Sequence, residues 1–403
     1  MRAGESQERY GKTTPTAKSG MKRAVVAGHI CLDVIPEIDH PFELAPGRLF
    51  EVGPPVLGTG GAVSNTGVAL HILGVPTTLM GKIGDDAFGD SVQAILRRYG
   101  PGLDTGMMRT SGEVTSYTIV VNIPGVDRIF LHCPGANHRF GAADIVADKL
   151  AGASLFHFGY PPLMARTYAN DGAELVEIYR RVKAASLTAS LDMVMPDPSG
   201  PSGKADWQTI FRRVLPLVDI FLPSADELLY VLDRPSFGQG DRIGTEKLRM
   251  LSDQLLAMGV AIAGVKLGAR GLYIRTASAE RLQRMGAAVP GDLDNWAGRE
   301  LWFPVYEIAR LVGTTGAGDA TIAGFIAAFL RGETLEAAGC FANAVGACNV
   351  QTADALGGLK SWDETMGLLK GGWRQVKLDP GGSGWRRHPA TGIWHGADDP
   401  FAV

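Results

Sequence analysis

Short β-branched runs and longer segments with helical spacing alternate along most of the chain. Residues 23–28, Arg-Ala-Val-Val-Ala-Gly, are typical of a buried strand that ends in a loop. The same alternation predicts further strands at residues 77–80, 154–158, 188–193, 219–223, 262–266 and 272–275. It predicts helices at residues 63–73, 91–99, 170–185, 205–216, 225–232 and 245–258. This α/β series predicts a mainly parallel central sheet covered by helices, with ligands at the carboxyl ends of its strands.

One segment breaks the alternation. Residues 115–133 contain two runs rich in β-branched and aromatic residues around a Pro-Gly turn, which predicts a β-hairpin. We expect this hairpin to stand off the main sheet as a small β-sheet lid, together with a proline- and glycine-rich stretch near residue 50. The predicted lid comprises residues 42–58 and 112–134.

Three other segments lie outside the regular pattern. Residues 1–21 have no apolar stretch and are expected to form a flexible tail. Residues 276–300 are charged without a clear period, and we expect them to be an insertion at the surface of the main domain, residues 22–370. Residues 371–403 form a tail rich in glycine and tryptophan. The sequence leaves open whether this tail is disordered or docks through Trp373, Trp385 and Trp394.

Composition limits the classes of partner. Hydrophobic residues make up 45% of the chain and charged residues 20%, which suits a soluble globular protein with a sizeable core. A net charge of −3 gives no general positive field for nucleic acid or an anionic membrane, so we expect a small-molecule substrate. The four cysteines form no Cys-x-x-Cys pair, which indicates neither a zinc site nor a disulfide framework and favours a reducing, cytoplasmic location.

The sharpest local signal is residues 313–330, in which Gly-Thr-Thr-Gly-Ala-Gly-Asp leads into an apolar helix. Gly316, Ala317 and Gly318 let main-chain amides approach an anion, and the helix N-terminus adds partial positive charge. We therefore expect a phosphate group there, with Asp319 suited to take a proton from an attacking hydroxyl. Acids also favour helix N-termini for structural reasons, and the glycines could form an ordinary turn.

A second glycine pair precedes another predicted helix. Gly60 and Gly61 allow close backbone approach, and Asn65 on the first or second turn could bind a ligand dense in hydroxyl groups. Asp33, after the first strand, could accept two hydroxyl donors. The structural alternatives are a helix cap for Asn65 and a turn for Asp33.

The order and separation of these two glycine motifs resemble the signatures of the PfkB (ribokinase-like) carbohydrate kinase family. The resemblance covers residues 22–370 and is most specific at residues 314–319. Supporting segments are Gly28 with Asp33 and residues 82–89, 134–137, 224–227 and 265–271. The resemblance implies an α/β ribokinase-like three-layer sandwich, with a mainly parallel central sheet covered by helices and a small β-sheet lid.

The resemblance also implies roles for individual residues. Asp319 would be the base that deprotonates the acceptor hydroxyl for attack on the ATP γ-phosphate, with an anion hole formed by the amides of Gly316, Ala317 and Gly318. The acceptor would be bound by Asp33, Gly60, Gly61, Asn65 and Asn137. The nucleotide would be bound by Lys266, Gly268, Gly271, Thr315 and Asn343. Glu227 would organise Mg²⁺ through water, and the lid would exclude water and form a homodimer, as in several members.

Three of these assignments have structural alternatives. Glu227 could be a solvated helix acid, Lys266 a surface lysine at a strand end, and Asn343 an ordinary polar residue on an alanine-rich helix.

Several positions depart from the family's pattern. Cys31 and Ala62 stand where ribokinases place asparagine and often lysine, which makes ribose a doubtful acceptor. Val194 and Pro196 replace the amide and the guanidinium of the family's Asp-x-Asn-x-Arg segment. Gly313 replaces an aspartate tied to monovalent-cation binding, which puts activation by potassium in doubt.

We therefore expect ATP- and Mg²⁺-dependent phosphorylation of a hydroxyl on a sugar or sugar-like small molecule. A nucleoside kinase of the same family and a catalytically weak sugar or nucleotide sensor are alternatives. Which sugar, sugar acid, sugar phosphate or nucleoside is the acceptor stays open. A phosphate or carboxylate on the acceptor could meet four lid residues, although a solvated face would also explain Arg128, His132, His138 and Arg139.

Overall fold

The computed structural model describes residues 20–43, 45–125 and 129–402. Most of the tail predicted for residues 1–21, and the lid residue Arg128, lie outside the described residues. The strands in chain order are β1 (Arg23–Gly28), β2 (Cys31–Ile35), β3 (Val56–Gly60), β4 (Thr77–Gly84), β5 (Met107–Thr110), β6 (Tyr117–Val121), β7 (Ile129–Cys133), β8 (Ala153–Gly159), β9 (Thr188–Asp192), β10 (Ile220–Phe221), β11 (Ile262–Lys266), β12 (Leu272–Thr276), β13 (Glu300–Phe303), β14 (Arg386–Arg387) and β15 (Trp394–His395).

The α-helices follow the same numbering by chain order. They are α1 (Ala62–Ile72), α2 (Ala87–Tyr99), α3 (Ala147–Leu150), α4 (Ala165–Tyr168), α5 (Ala173–Ala184), α6 (Trp207–Val214), α7 (Ala225–Leu232), α8 (Thr245–Ala257), α9 (Ala279–Gln283), α10 (Leu293–Trp296), α11 (Ala317–Leu330), α12 (Leu335–Asn349) and α13 (Trp362–Lys370).

The large sheet has the strand order β14-β15-β13-β12-β11-β10-β9-β8-β1-β4-β5 within the described ranges. From β11 to β5 each strand runs parallel to its neighbour. The remaining four strands, β12, β13, β15 and β14, add antiparallel pairs at one edge. The prediction of a mainly parallel central sheet is confirmed, and the carboxyl ends of its parallel strands open on one side of the molecule.

Two apolar cores lie on opposite faces of this sheet. One is formed mainly by α1, α2, α11 and α12, and the other by α5, α6, α7 and α8. The sequence explains how the helices pack: α2 buries Val92, Ile95 and Leu96 along one stripe, whereas α11 is apolar on nearly all sides and has eleven buried residues among 14. Helices on both faces of a sheet give the expected three layers.

A small second sheet forms the lid, in the order β3-β2-β6-β7. The hairpin predicted for residues 115–133 is present as the antiparallel pair β6 and β7. The described part of residues 42–55 contains no strand, and residues 56–58 of β3 are the strand residues within the predicted range 42–58. That the rest of this range contributes to the lid stays a prediction. The sequence interpretation also missed β2, which joins the two halves of the lid.

The segment between β12 and β13 is not a surface excursion throughout. The predicted surface position is wrong for Leu282, Met285, Ala288 and Trp296, which are buried in the core beside α11. Trp296 packs edge-on against two phenylalanines of α11, with ring centroids 5.9 and 5.5 Å away. That residues 276–300 are an insertion stays a prediction.

The C-terminal tail docks on the edge of the large sheet, which decides between the two alternatives left open by the sequence. Strand β15 pairs with β13, and β14 pairs with β15. Trp385 packs against Tyr273 and Trp302, while Trp373 packs against Tyr306 with its ring tilted by 31°. The apolar rings therefore hold the tail against the fold, as tryptophan docking requires.

In the part of the chain that the structure describes, no helix is both long enough and apolar enough to span a bilayer. All four cysteines are free thiols.

Candidate active site

Asp319 lies on the first turn of α11, where the glycine-rich loop becomes helical. Gly316 precedes this helix with a left-handed φ of 73°, and a Cβ at that position would lie 2.7 Å from the Cβ of Ala355. Glycine is therefore required there by both conformation and space. The buried Asp319 carboxylate accepts three hydrogen bonds, from Asn65 Nδ2 at 3.1 Å, Thr66 Oγ1 at 3.1 Å and Tyr160 Oη at 2.7 Å.

The two glycine motifs of the sequence meet because α1 packs along α11. Asn65 and Thr66 are consecutive residues near the start of α1, and both side chains reach Asp319 across the helix interface. Gly61, which precedes α1, has a φ of 85°, and a Cβ there would lie 2.5 Å from His29 Nδ1. The structure thus brings Asn65 beside Asp319, and it adds Thr66, which the motif analysis did not single out.

Asp33 lies on the lid strand β2, which follows the first central strand, β1. A Cβ on Gly60 would collide with the Asp33 carboxylate, so these two predicted residues are in direct proximity. The Cys31 Sγ donates to Asp33 Oδ1 at 3.3 Å. Burial raises the pKa of Asp33 to about 6, although the hydrogen bonds from Cys31 and Thr118 oppose this shift. We refer to Asp33, Gly60, Gly61, Asn65 and Asp319 as the acceptor site, after the role predicted from the sequence, which stays a prediction.

Tyr160 is a site residue that the sequence interpretation missed. It follows β8 directly, at the carboxyl end of a central strand, and it adopts a left-handed backbone with a φ of 67°. Such a conformation is uncommon for a bulky side chain and is typical of constrained, functional positions. Burial and the nearby Asp319 carboxylate raise the pKa of Tyr160 well above its usual range, so its hydroxyl stays protonated and donates. Its position after a predicted strand was the available signal.

Lys266 ends β11, and its ammonium group donates to Asp192 Oδ1, at the end of β9, over 2.9 Å. A Cβ on Gly318 would lie 3.3 Å from Lys266 Nζ, which places this cation against the glycine-rich loop. Burial alone lowers the pKa of Lys266, but the carboxylates of Asp192 and Glu227 outweigh burial and raise it overall. The alternative of a surface lysine is wrong, because the Lys266 side chain is only 13% exposed.

Glu227 lies on the first turn of α7 and forms a capping box with Ser224. The Ser224 main-chain amide donates to Glu227 Oε2 at 2.7 Å, which uses one carboxylate oxygen for the helix end. Among the described residues, no three histidine, cysteine, aspartate or glutamate side chains are grouped to hold a metal. Mg²⁺ keeps several water ligands in proteins, so a single carboxylate at this position fits the role predicted for Glu227, which stays a prediction.

Three of the residues predicted for the nucleotide, Gly268, Gly271 and Asn343, lie close together. Gly268 and Gly271 have positive φ of 55° and 89° in the tight turn between β11 and β12. A Cβ on Gly271 would lie 3.1 Å from Asn343 Nδ2, and that amide donates to the main-chain oxygen of Phe303 at 2.8 Å. Thr315 stands immediately before Gly316 in the loop that leads into α11.

Asn137 is buried behind the acceptor site. Its Nδ2 donates to the main-chain oxygen of Ile30 at 2.8 Å, and its Oδ1 accepts from the Ile30 amide at 3.3 Å. The Asn137 side chain therefore stabilises the link between β1 and β2. Direct contact of Asn137 with an acceptor stays a prediction.

Gly313 lies beside main-chain oxygen atoms of the loop that follows α12. A Cβ on Gly313 would lie 3.1 Å from Thr352 O and 3.4 Å from Ala353 O. Carbonyl oxygens are present at this position, whereas the carboxylate that the family pattern places there is missing.

The described lid residues have partners of their own. Arg139 pairs with Glu113 at 2.7 Å, and His138 Nδ1 accepts from the Ala165 amide at 3.0 Å. His132 Nδ1 lies 3.0 Å from Thr118 Oγ1. Arg139 is thus neutralised within the protein.

Comparison with known proteins agrees with this geometry. A model of the pfkB family carbohydrate kinases matches residues 21–361. An uncharacterized sugar kinase of Archaeoglobus fulgidus is 26% identical over 292 residues, which cover 72% of this chain and 98% of the relative. Fructokinase-1 of Oryza sativa subsp. japonica is 27% identical over 366 residues, which cover 87% of this chain and 99% of the relative. The crystal structure of fructokinase with bound ATP from Xylella fastidiosa has a TM-score of 0.67 at 21% identity, over 87% of this chain and 99% of that one.

The fold is that of the ribokinase-like proteins, which confirms the predicted three-layer sandwich. Because the family match spans most of its length, the chain belongs to the pfkB family of carbohydrate kinases and is a phosphotransferase.

Proposed function

We propose that this kinase transfers the γ-phosphoryl group of ATP to a hydroxyl group of a sugar or sugar-like small molecule. The observation that carries the proposal is the buried carboxylate of Asp319, held at the N-terminus of α11 by three donors from other elements. The relatives named as fructokinases, one of them with bound ATP, support a sugar acceptor and an ATP donor.

Asp319 acts in this proposal as the general base. Asn65 and Tyr160 both donate to Asp319 Oδ2. Thr66 donates to Asp319 Oδ1 and occupies one of the two acceptor positions of that oxygen. The open position on Oδ1 can accept the proton of an acceptor hydroxyl. The hydroxyl oxygen then bonds to the γ-phosphorus, the bond from that phosphorus to the bridging oxygen breaks, and ADP leaves. General base catalysis of this kind contributes about 10²–10⁴-fold to the rate.

The amides of Gly316, Ala317 and Gly318 form the proposed anion hole. Gly316 caps a 14-residue helix that begins at Ala317, so the helix dipole acts on the same charge as these amides. The Ala317 amide donates to Thr314 O at 3.2 Å, and a bound anion would compete for that N–H group. A preorganised donor of this type is worth about 2.7–4 kcal/mol in other enzymes. The ammonium group of Lys266, beside Gly318, adds a full positive charge to this cradle.

The nucleotide is bound in this proposal beside the turn between β11 and β12. Lys266 would contact the phosphates, and the remaining contacts would come from Gly268, Gly271, Thr315 and Asn343. Mg²⁺, when bound, would neutralise phosphate charge, with Glu227 holding its water ligands. The absence of a carboxylate at Gly313 supports independence from potassium, which a titration of turnover against potassium chloride tests.

We also propose a homodimer formed through the lid. Strand β7 exposes three consecutive apolar residues, Ile129, Phe130 and Leu131, at 41%, 53% and 54% of their surface. Exposed apolar patches of this kind mark contact surfaces. Light scattering should give a dimer for the native chain and a monomer for Phe130→Lys, and a native monomer would contradict the proposal.

The four free thiols support the expected cytoplasmic location.

The function is tested by following ADP release with uncharged sugars, sugar acids, sugar phosphates and nucleosides. Turnover of a sugar-like acceptor supports the proposal, and preference for nucleosides would identify the alternative nucleoside kinase. The third candidate is a weak sugar or nucleotide sensor in which supporting residues such as those at Val194 and Pro196 have changed, and the presence of Asp319 argues against it. Ligand binding without turnover of any acceptor would replace the proposed function by that one.

A further inference from the structure

Four buried polar atoms around the acceptor site have no hydrogen-bond partner within the described part of the chain. They are Nδ1 and Nε2 of His29, Nε2 of His132 and Oδ1 of Asn65. Leaving a buried polar atom unpaired is unfavourable, and native proteins keep few of them. Their convergence on one site indicates that a bound molecule supplies the missing partners.

His29 lies in the link between β1 and β2 and is only 2% exposed. Its ring centroid is 5.1 Å from that of His132, and it stacks on Tyr160 at 6.1 Å with an interplanar angle of 30°. Its Nδ1 lies against Gly61. Because Gly61 belongs to the acceptor site and Tyr160 binds Asp319, the His29 ring is part of the wall of that site.

His132 supplies the other part of this wall from the lid strand β7. The hydrogen bond between its Nδ1 and Thr118 fixes the orientation of the ring and leaves Nε2 unpaired. One imidazole therefore comes from the main domain and the other from the lid. A molecule that contacts both rings would join the lid to the domain.

The charges in this region favour an uncharged ligand. Burial lowers the pKa of both His29 and His132, and the nearby histidines lower each further, so both rings are neutral at physiological pH. The charged side chains of the acceptor site itself are the carboxylates Asp33 and Asp319. The nearby cation of Lys82 already pairs with Asp144 at 3.1 Å. Among the described residues, a carboxylate or phosphate on the acceptor would meet the negative charges of Asp33 and Asp319, while Lys82 and Arg139 are already paired with carboxylates.

We propose that His29 and His132 select an uncharged polyhydroxylated acceptor by binding one of its hydroxyl groups between their rings. A neutral imidazole has one donor and one acceptor, and a hydroxyl group satisfies both, whereas carboxylates and phosphates only accept. This inference rests on the proposed phosphoryl transfer and deepens it, since it names uncharged sugars and cyclitols as the acceptor class and excludes sugar acids and sugar phosphates.

The first test compares matched acceptors by ADP release: an aldose, the corresponding aldonic acid and the corresponding sugar monophosphate, together with a cyclitol. The uncharged compounds should be the better substrates by kcat/KM. Preference for an acid or a phosphate would overturn this inference and leave the proposed function intact. Failure to phosphorylate any acceptor would instead refute the proposed function.

The second test uses His29→Leu, which keeps the approximate size of the side chain and removes its polar atoms. The acceptor KM should rise by about tenfold, a change of about 1.4 kcal/mol, while the KM for ATP stays unchanged. The melting temperature should not fall, because an unpaired buried imidazole has been removed. A residue with only a structural role would show the reverse pattern, a lower melting temperature with an unchanged acceptor KM, and that pattern would overturn the proposal.

His71→Leu is the matched control. His71 also has a buried unpartnered Nε2, but it lies in the last turn of α1, away from the acceptor site. Its variant should keep the native acceptor KM. If His29→Leu does not fold, His132→Leu on the lid strand carries the test. An unchanged acceptor KM in that variant would also overturn the proposal.

Discussion

The ammonium group of Lys266 and the carboxylate of Asp192 form a buried ion pair with a separation of 2.9 Å, directly beside the glycine-rich loop that begins α11. Burial raises the pKa of Asp192, and the positive charge of Lys266 opposes this rise. The ion pair thus holds the Lys266 ammonium group beside the loop and prevents it from turning towards solvent. This arrangement supplies a positive charge in a chain that lacks the family's arginine at Pro196.

Lys266→Met should lower kcat by about 10²-fold, the effect of removing one preorganised donor. It should also reduce the free energy of unfolding by about 3–5 kcal/mol, because Asp192 is left buried without its partner. The double variant Lys266→Met, Asp192→Asn separates these effects. Steady-state kinetics and urea unfolding should show recovered stability without recovered turnover, and recovered turnover would contradict the role of the cation.

Tyr160→Phe should lower kcat by about tenfold, since a hydrogen bond to a charged group contributes about 1.5–3 kcal/mol, part of which the remaining donors replace. Steady-state kinetics at saturating acceptor and ATP check this prediction. Tyr168→Phe on α4 is the control and should keep native kcat. An equal kcat for the two variants would exclude a role for the Tyr160 hydroxyl.

The raised pKa of Asp33, about 6, predicts a specific pH dependence. The ionised carboxylate accepts hydrogen bonds from the acceptor hydroxyls, so kcat/KM for the acceptor should fall as the pH drops below that value. The native state holds this proton more tightly than the unfolded chain, so the Asp33 contribution to stability declines as pH rises from about 4 to 6.

Asp33→Asn provides the check. This variant should lack the acid limb near pH 6 and have a lower kcat/KM at pH 8. Its stability relative to the native protein should be higher at pH 8 than at pH 4. If Asp33→Asn keeps the acid limb of the native pH profile, a group other than Asp33 causes that limb.

Docking of the C-terminal tail predicts a stability effect far from the acceptor site. Arg299 is fully buried and pairs with Asp399 at 3.0 Å. Asp399→Ala should lower the free energy of unfolding by about 3 kcal/mol, because it leaves a buried charge with only part of its compensation. Asp398→Ala is the neighbouring control, since that side chain is 82% exposed and its pairing should contribute at most about 1 kcal/mol. Equal urea midpoints for the two variants would contradict a docked tail.

Elements that are set by local periodicity could be predicted from the sequence. Helix α7 begins and ends where its pattern indicates, and strand β1 coincides with the run at residues 23–28. Helix α2 begins four residues before the predicted start, because Asp86 caps it by accepting from the Gly89 amide. Apolar spacing does not report such a cap, and therefore the boundary was missed.

The glycine motifs predicted Asn65 and Asp319 but not the residues around them. Thr66 follows Asn65 in the second motif but was not singled out, because only the packing of α1 on α11 shows that it reaches Asp319. Tyr160 and His29 belong to no motif, and the packing of distant elements brings them to the site. For the same reason, the sequence did not decide whether the C-terminal tail is disordered or docks on the fold. Its tryptophans find their partners, Trp302 and Tyr306, at the edge of a sheet whose position depends on the whole fold.

The proposed role of Asp319 is tested most directly by the turnover of Asp319→Asn, which keeps the size of the side chain and removes its ability to take a proton. Asp363→Asn is the matched control, because Asp363 is an exposed acid in the first turn of another helix. For Asp319→Asn we predict that kcat falls by about 10²–10⁴-fold while the Kd for ATP is unchanged. For the control we predict native kcat. Native turnover by a folded Asp319→Asn protein would contradict the proposed role of Asp319 as the general base.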